Sequence, residues 1–240
     1  MTITFSGAAG VALAAGFKVL KALRPKRPIH PAGGAFTGTI ERRPGSVESG
    51  ILWIDSPGTA AVSARLSRSI GLPSGWPDIL GLALRITTES GPADVLLAST
   101  ALSWPGRLIL TAHRYASNSK LTSLMPYKGP AGPVLLAARP EPSGKGLPAT
   151  PEKFRESLAA GTWSLGLYHA RPTGPWTRFG TLLLNLDPGQ ADLNSRFDPL
   201  RHPLPGAGTY GWARRLREPS YRAARQPARS RTALPGSLAR

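Results

Sequence analysis

Arg27-Pro28-Ile29-His30-Pro31-Ala32 runs directly into Gly33-Gly34-Ala35-Phe36-Thr37-Gly38-Thr39-Ile40. The second stretch alternates along its length, the period-two pattern of a strand with one buried face. Pro25, Pro28 and Pro31 forbid a helix through Arg24–Pro31. The chain therefore enters the strand already extended, and His30 is held at a fixed point just ahead of it. Upstream, Phe5–Leu23 is an Ala/Gly-rich apolar run broken by Lys18 and Lys21. It is too short and too weakly apolar for a spanning helix, and it lacks the basic lead-in of a secretory signal. An amphipathic helix over residues 1–23 is expected, packed on the domain or resting on a membrane surface, with packing favoured.

Downstream the same punctuation recurs. Pro44–Gly50 reads as a turn, Ile51–Ile54 as a short apolar strand and Ala60–Ser67 as a longer one. Gly71–Pro77 is a loop carrying Trp76; Asp78 caps or orients it. Ile79–Thr87 and Asp94–Ser99 are strands about the turn Glu89-Ser90-Gly91-Pro92. Trp104–Asn118 is a connection, and Lys120–Tyr127 is expected to form a short helix. Pro133–Ala138 is a strand and Arg139–Pro151 a surface loop. Thr162–Ala170 and Arg178–Leu186 form a hairpin about Pro172-Thr173-Gly174-Pro175, and the chain is irregular from Asp187 to Gly206. Trp212–Arg225 is helical, interrupted or restarted at Pro219. About eight short strands predict an α+β protein, an antiparallel β-barrel core with flanking helices at its two ends. One domain over 24–226 carries the core, and 227–240 is a basic tail of disordered composition.

The 240 residues suffice for one sizeable core. The 27 glycines and 25 prolines favour short elements joined by turns over a helical bundle. The absence of cysteine excludes disulfides, thiolate nucleophiles, iron–sulfur clusters and thiolate-ligated haem, and it suits the cytoplasm. A net charge of +17 concentrates at Lys18–Arg27 and Arg214–Arg231. It predicts weak attraction of the basic termini to anionic surfaces, and hence a peripheral membrane position as an alternative. Specific nucleic-acid binding is not expected, because basic and aromatic residues do not interleave in a reading motif.

The four histidines, His30, His113, His169 and His202, form no metal-ligand spacing. No nucleophile elbow, phosphate-binding loop or dinucleotide fingerprint is present. Seven segments, in order, do resemble the haem core of the catalase superfamily. Arg27-Pro28-Ile29-His30-Pro31-Ala32-Gly33 is similar to that family's Arg-x-x-His-Ala-x-Gly. Ala64-Arg65-Leu66-Ser67 resembles its Val-Arg-Phe-Ser strand, and Pro77-Asp78-Ile79-Leu80-Gly81-Leu82-Ala83-Leu84-Arg85 its Arg-Asp-x-Arg-Gly-Phe-Ala-Val-Lys segment. Asp94-Val95-Leu96-Leu97 resembles the Asp-Leu-Val-Gly that precedes the distal asparagine. Leu183–Pro188, then Phe197-Asp198-Pro199 with Pro205-Gly206, keep the family's order. Arg217-x-x-x-Tyr221 resembles its proximal motif.

The resemblance implies a minimal catalase-like haem protein without the long N-terminal arm and C-terminal helical region of full catalases. It implies haem b, with Tyr221 as the iron ligand and His30 as the distal general base and acid. The Ser67 hydroxyl would hold the far nitrogen of His30. Arg217 lies four residues before Tyr221, one face of a helix, and favours its phenolate. Arg225, Arg27 and Arg65 are the propionate candidates; Arg65 pairing with a surface carboxylate is the other reading. Trp104 is a core aromatic or a wall at the haem edge, with the core favoured.

The chain departs from the family where the distal Asn-Asn falls on Ala98-Ser99, so the peroxide-polarising amide is absent unless Ser99 or Thr100 replaces it. Ile29 leans away from the allene-oxide branch, which carries threonine there. The implied activity is reduction of hydrogen peroxide or an organic hydroperoxide by a second, unidentified substrate. The alternatives are a haem enzyme that rearranges or dehydrates its substrate, and a haem-less basic module on the same scaffold. Oligomerisation is left open.

Overall fold

The structure is a computed structural model that describes residues 33–215 apart from 44, 46, 143–145, 160 and 194. The helix expected over 1–23 and the tail over 227–240 lie outside the described residues. Among the described residues eleven strands are found: β1 (Gly33–Arg42), β2 (Gly58–Arg68), β3 (Asp78–Thr88), β4 (Gly91–Ser99), β5 (Ala112–His113), β6 (Leu121–Thr122), β7 (Tyr127–Gly129), β8 (Gly132–Pro140), β9 (Trp163–Ala170), β10 (Thr177–Leu186) and β11 (Gly208–Thr209). Helix α1 is the single turn Leu52–Asp55, and α2 spans Pro151–Leu158. Residues 211–215 are also helical; the rest of the helix expected over Trp212–Arg225 lies outside the described residues.

All pairings are antiparallel. Strands follow the order β8-β6-β4-β3-β2-β1-β10-β9, and β8 also pairs with β9, which closes an eight-stranded barrel. The expected antiparallel barrel is therefore observed. Strands β7 and β11 extend one end, and β5 lies against the start of β3. Alternation fills the interior: Ala60, Val62, Ala64 and Leu66 of β2 face Leu80, Leu82, Leu84 and Ile86 of β3 and Val95 and Leu97 of β4. The opposite face of β1 carries exposed Thr37, Thr39 and Glu41. An eight-stranded barrel of this kind is packed with side chains and has no channel. At Gly38 a Cβ would lie 1.9 Å from the Leu183 carbonyl oxygen, so β1 and β10 approach closely only because this residue has no side chain.

Two expectations fail locally. Ile51–Ile54 is a helical turn and not a strand. Asp55 accepts the Ser49 and Gly50 amides at 2.8 Å, which folds the chain back, and Ile51 and Ile54 are both buried one turn apart. A short apolar run fits either period, and these local bonds decide it. Lys120–Tyr127 is not helical. Leu121 and Thr122 pair with Ala138 and Ala137, and the Ser123 amide donates to the Leu136 carbonyl. Barrel closure thus claims the backbone bonds that a helix would need. Helix α2 was not anticipated, although Thr150-Pro151-Glu152 is a helix-start sequence.

Helix α2 buries Pro151, Phe154 and Leu158. Phe154 meets Phe36 edge-on at 5.5 Å and Trp163 at 5.1 Å between ring centroids. This aromatic group ties α2 to β1 and β9. Phe154→Ala is expected to lower unfolding free energy by about 3–5 kcal/mol, read as a fall in the urea midpoint with the slope unchanged.

Candidate functional site

Directly opposed residues of antiparallel strands share a sheet face. Gly33 of β1 lies opposite Ser67 of β2, Ser67 opposite Gly81 of β3, Gly81 opposite Ala98 of β4, and Ala98 opposite Thr122 of β6. This row crosses five strands with nothing larger than threonine. A second row holds Ala35, Arg65, Ala83 and Leu96. Both rows point away from the interior face that carries Phe36, Leu66, Leu82 and Leu97. The outer wall of such a barrel is ordinarily solvated, yet Gly33, Ala35, Arg65, Ser67, Gly81 and Thr122 are buried, and Ala83, Leu96 and Ala98 are half-buried. The result is a flat, small-residue bed on the outer wall. Its Gly33 end opens to a cleft between α2 and residues 191–192, lined by Glu152, Arg155, Glu156 and Asp192.

Arg65 and Ser67, two of the expected site residues, therefore share this face. Arg65 Nε and Nη2 donate to the two Asp192 carboxylate oxygens at 2.6 and 2.9 Å. A Cβ on Gly33 would lie 2.7 Å from the guanidinium carbon, so Gly33 is what lets Arg65 lie flat against β1. Pairing with a carboxylate, the second reading given to Arg65, is thus observed. The Ser67 hydroxyl donates to the Gly81 carbonyl at 3.3 Å. His30, Arg27, Arg217, Tyr221 and Arg225 lie outside the described residues.

Register separates Ala98 from Ser99. Ala98, and not Ser99, occupies the bed. Ser99 faces the other side, fully buried, where its hydroxyl donates to the Thr111 carbonyl at 2.6 Å and accepts the Leu80 amide. The Thr100 hydroxyl is engaged with the Ala101 carbonyl and with Thr122 Oγ1. Both hydroxyls are thus engaged with groups of the protein itself. Trp104 is 53% exposed, which corrects its expected place in the core: the segment it sits on crosses the end of the barrel and does not enter it.

Sequence reasoning gave His202 no role and missed its partners. Asp94 is fully buried on the outer wall. It accepts from Arg85 Nε and Nη2 at 2.8 Å each, from the Asp198 amide at 2.7 Å, and lies 3.0 Å from His202 Nδ1. The Asp94 amide donates to the His202 carbonyl, and Phe197 lies under the Arg85 guanidinium. One carboxylate thus clamps residues 196–202 onto β3 and β4. Asp78 does what was expected of it: it accepts the Ile70, Gly71 and Leu72 amides and orders the loop. His169 is a buried structural histidine with Nε2 on the Val47 carbonyl, and burial holds its pKa below the ordinary imidazole value. Among the described residues no three His, Asp or Glu side chains are grouped to hold a metal ion, and no helix is long and apolar enough to cross a membrane.

A closed eight-stranded antiparallel barrel, sparsely helical, with the site face on its outer wall, is a catalase-like fold. The chain superposes on a bacterial catalase with a TM-score of 0.57 at 15% identity over 91% of its length, and on a fungal catalase with 0.59 at 14% identity over 88%. It spans 60% and 61% of those two chains. At such identities the likeness is one of fold. No protein-family model matches the sequence, and no curated protein does.

Burial opposes ionisation of Asp94. The hydrogen bonds from Arg85, the Asp198 amide and His202, with the Arg85 charge, outweigh it and hold the carboxyl below the usual range. A depressed carboxyl pKa contributes stability that is complete above the unfolded value of about 3.9 and is lost as pH falls through the folded one. Melting temperature should therefore fall as pH drops below about 4. Asp94→Asn should lower it at neutral pH and flatten that acid limb, checked by scanning calorimetry across pH.

Proposed function

We propose that the chain is a haem-dependent oxidoreductase, peroxidase or catalase-like, that cleaves hydrogen peroxide or an organic hydroperoxide at the expense of an electron-donating co-substrate. We assign it to the cytoplasm. The observation that carries this reading is the buried bed Gly33, Ser67, Gly81 and Ala98 on the outer wall of a catalase-like barrel. A flat macrocycle needs a wall without protruding side chains, and the row from Gly33 to Thr122, with Ala35 and Ala83 beside it, supplies one. A carboxylate-bearing ring also needs guanidinium groups at its margin. Arg65 stands there on β2, although it serves a propionate only by sharing its fork with Asp192 or releasing it.

Haem, when bound, supplies a redox-active iron that accepts peroxide. The remaining roles belong to this chain. His30, three residues before Gly33 in sequence, accepts a proton from one peroxide oxygen as a neutral imidazole and returns it to the departing oxygen. Ser67 orients that imidazole through its far nitrogen. Tyr221 would hold the iron as phenolate, with Arg217 favouring the charged form. Arg27, Arg65 and Arg225 hold the propionates. Ala98 would leave the site without the amide that polarises peroxide, so two-electron reduction to water or an alcohol, with the electrons drawn from the co-substrate, is favoured over rapid disproportionation.

The absorption spectrum of protein purified with haem supplied tests this reading. A ferric Soret band that Tyr221→Phe abolishes is expected; a colourless protein would assign the chain to the haem-less scaffold. His30→Ala should keep the haem and slow peroxide cleavage by about 10²–10⁴-fold, measured by stopped flow. Ala98→Asn should raise hydrogen peroxide disproportionation by about tenfold if the missing amide limits it.

A further inference from the structure

From the exposed apolar surface at one end of the barrel, we infer that the protein docks on anionic lipid bilayers through the loop 69–77 and the segment 104–115. Ile109 is 58% exposed and Trp76 62%, and Ile70, Trp104, Leu108, Leu110 and Tyr115 are exposed beside them. The two segments are neighbours. β5 pairs with the start of β3, Asp78 opposite His113, just where loop 69–77 re-enters the barrel. Leu110 bridges to Thr100, and the Thr111 amide donates to the Ser99 carbonyl.

These side chains are held outward by polar anchors beneath them. Asp78 takes three amides of the loop, and Arg68 donates to the Pro73 and Trp76 carbonyls. The buried Arg107 guanidinium donates to the Leu102, Arg171 and Gly174 carbonyls, while the neighbouring Leu108, Ile109 and Leu110 are exposed. The polar groups turn inward and the apolar groups outward, on backbone that is pinned. A mixture of tryptophan, tyrosine and branched aliphatics is suited to the boundary between headgroups and acyl chains.

Charge selects the occupant. The sequence holds no Asp or Glu between Asp94 and Glu141, and loop 69–77 holds none either. Arg114 and Lys120 are exposed at the margin of the patch, and the whole chain carries +17. An anionic bilayer satisfies the apolar centre and the basic rim together. A second copy of the chain would set Arg114 and Lys120 against like charges. The patch begins at the end of β4, next to Ala98, so docking would bring the membrane boundary to one end of the small-residue bed.

Full-length protein is mixed with phosphatidylcholine vesicles containing about a quarter phosphatidylglycerol, and with pure phosphatidylcholine vesicles. Co-sedimentation with the first, weak binding to the second, loss on raising salt, and quenching of tryptophan emission by brominated acyl chains are expected. Leu108→Ser with Ile109→Asp should weaken vesicle binding by about tenfold or more, with melting temperature and circular dichroism unchanged. Trp76→Ser, on the loop, is the second variant should the first fail to fold. Absence of wild-type binding overturns the proposal. So does undiminished binding by both variants, which would assign the membrane contact to the basic termini. A concentration-dependent dimer abolished by the same substitutions would assign the patch to a second copy and also overturn it.

Discussion

β8 pairs with β6 along one edge and with β9 along the other, and that double pairing turns a sheet into a closed barrel. Closure satisfies the backbone of both strands that would otherwise be edges. It also dictates what each face can be. Eight strands enclose a space that side chains can fill, and here the inward positions are mostly apolar and buried. Every other task falls to the outer wall. There, α2, the chain near 187–193 and the strap 196–202 cover part of the surface. The small-residue rows of β1 to β4 lie beside them.

The outer elements are fastened by ionic groups taken out of water. Arg65 binds Asp192, Arg68 lies 3.5 Å from Asp78, and Arg85 binds Asp94. In each, one partner belongs to β2 or β3, and Asp78 and Asp94 also gather backbone amides from a separate segment. Such pairs add little net stability but select one arrangement, because separating them would leave a buried charge uncompensated.

Much of the barrel is legible in the sequence. β1, β2, β3 and β10 alternate over eight or more residues between clear turn signals, and their positions follow from the pattern. Elements of four residues or fewer do not follow from it. Ile51–Ile54 fits helix and strand equally, and Asp55 settles it by capturing two amides. Leu121–Thr122 is a strand only because β4 and β8 lie on either side. The catalase-like order of segments is likewise readable, and Arg65 and Ser67 do fall on one face, as their spacing of two in a strand requires. The partner of Arg65 is 127 residues away, and nothing local marks Asp192.

The sequence by itself determined the longer strands, the fold class and the lack of cysteine. These rest on residue identity and on local periodicity, which act over a few residues. The tertiary structure alone decided that Ala98 and not Ser99 lies on the bed, that Trp104 is outside the core, and that Asp94 clamps the strap through Arg85 and His202. The physical reason is register. A one-residue shift between antiparallel strands exchanges inner and outer faces, and only the closed set of pairings fixes which side chain meets which wall.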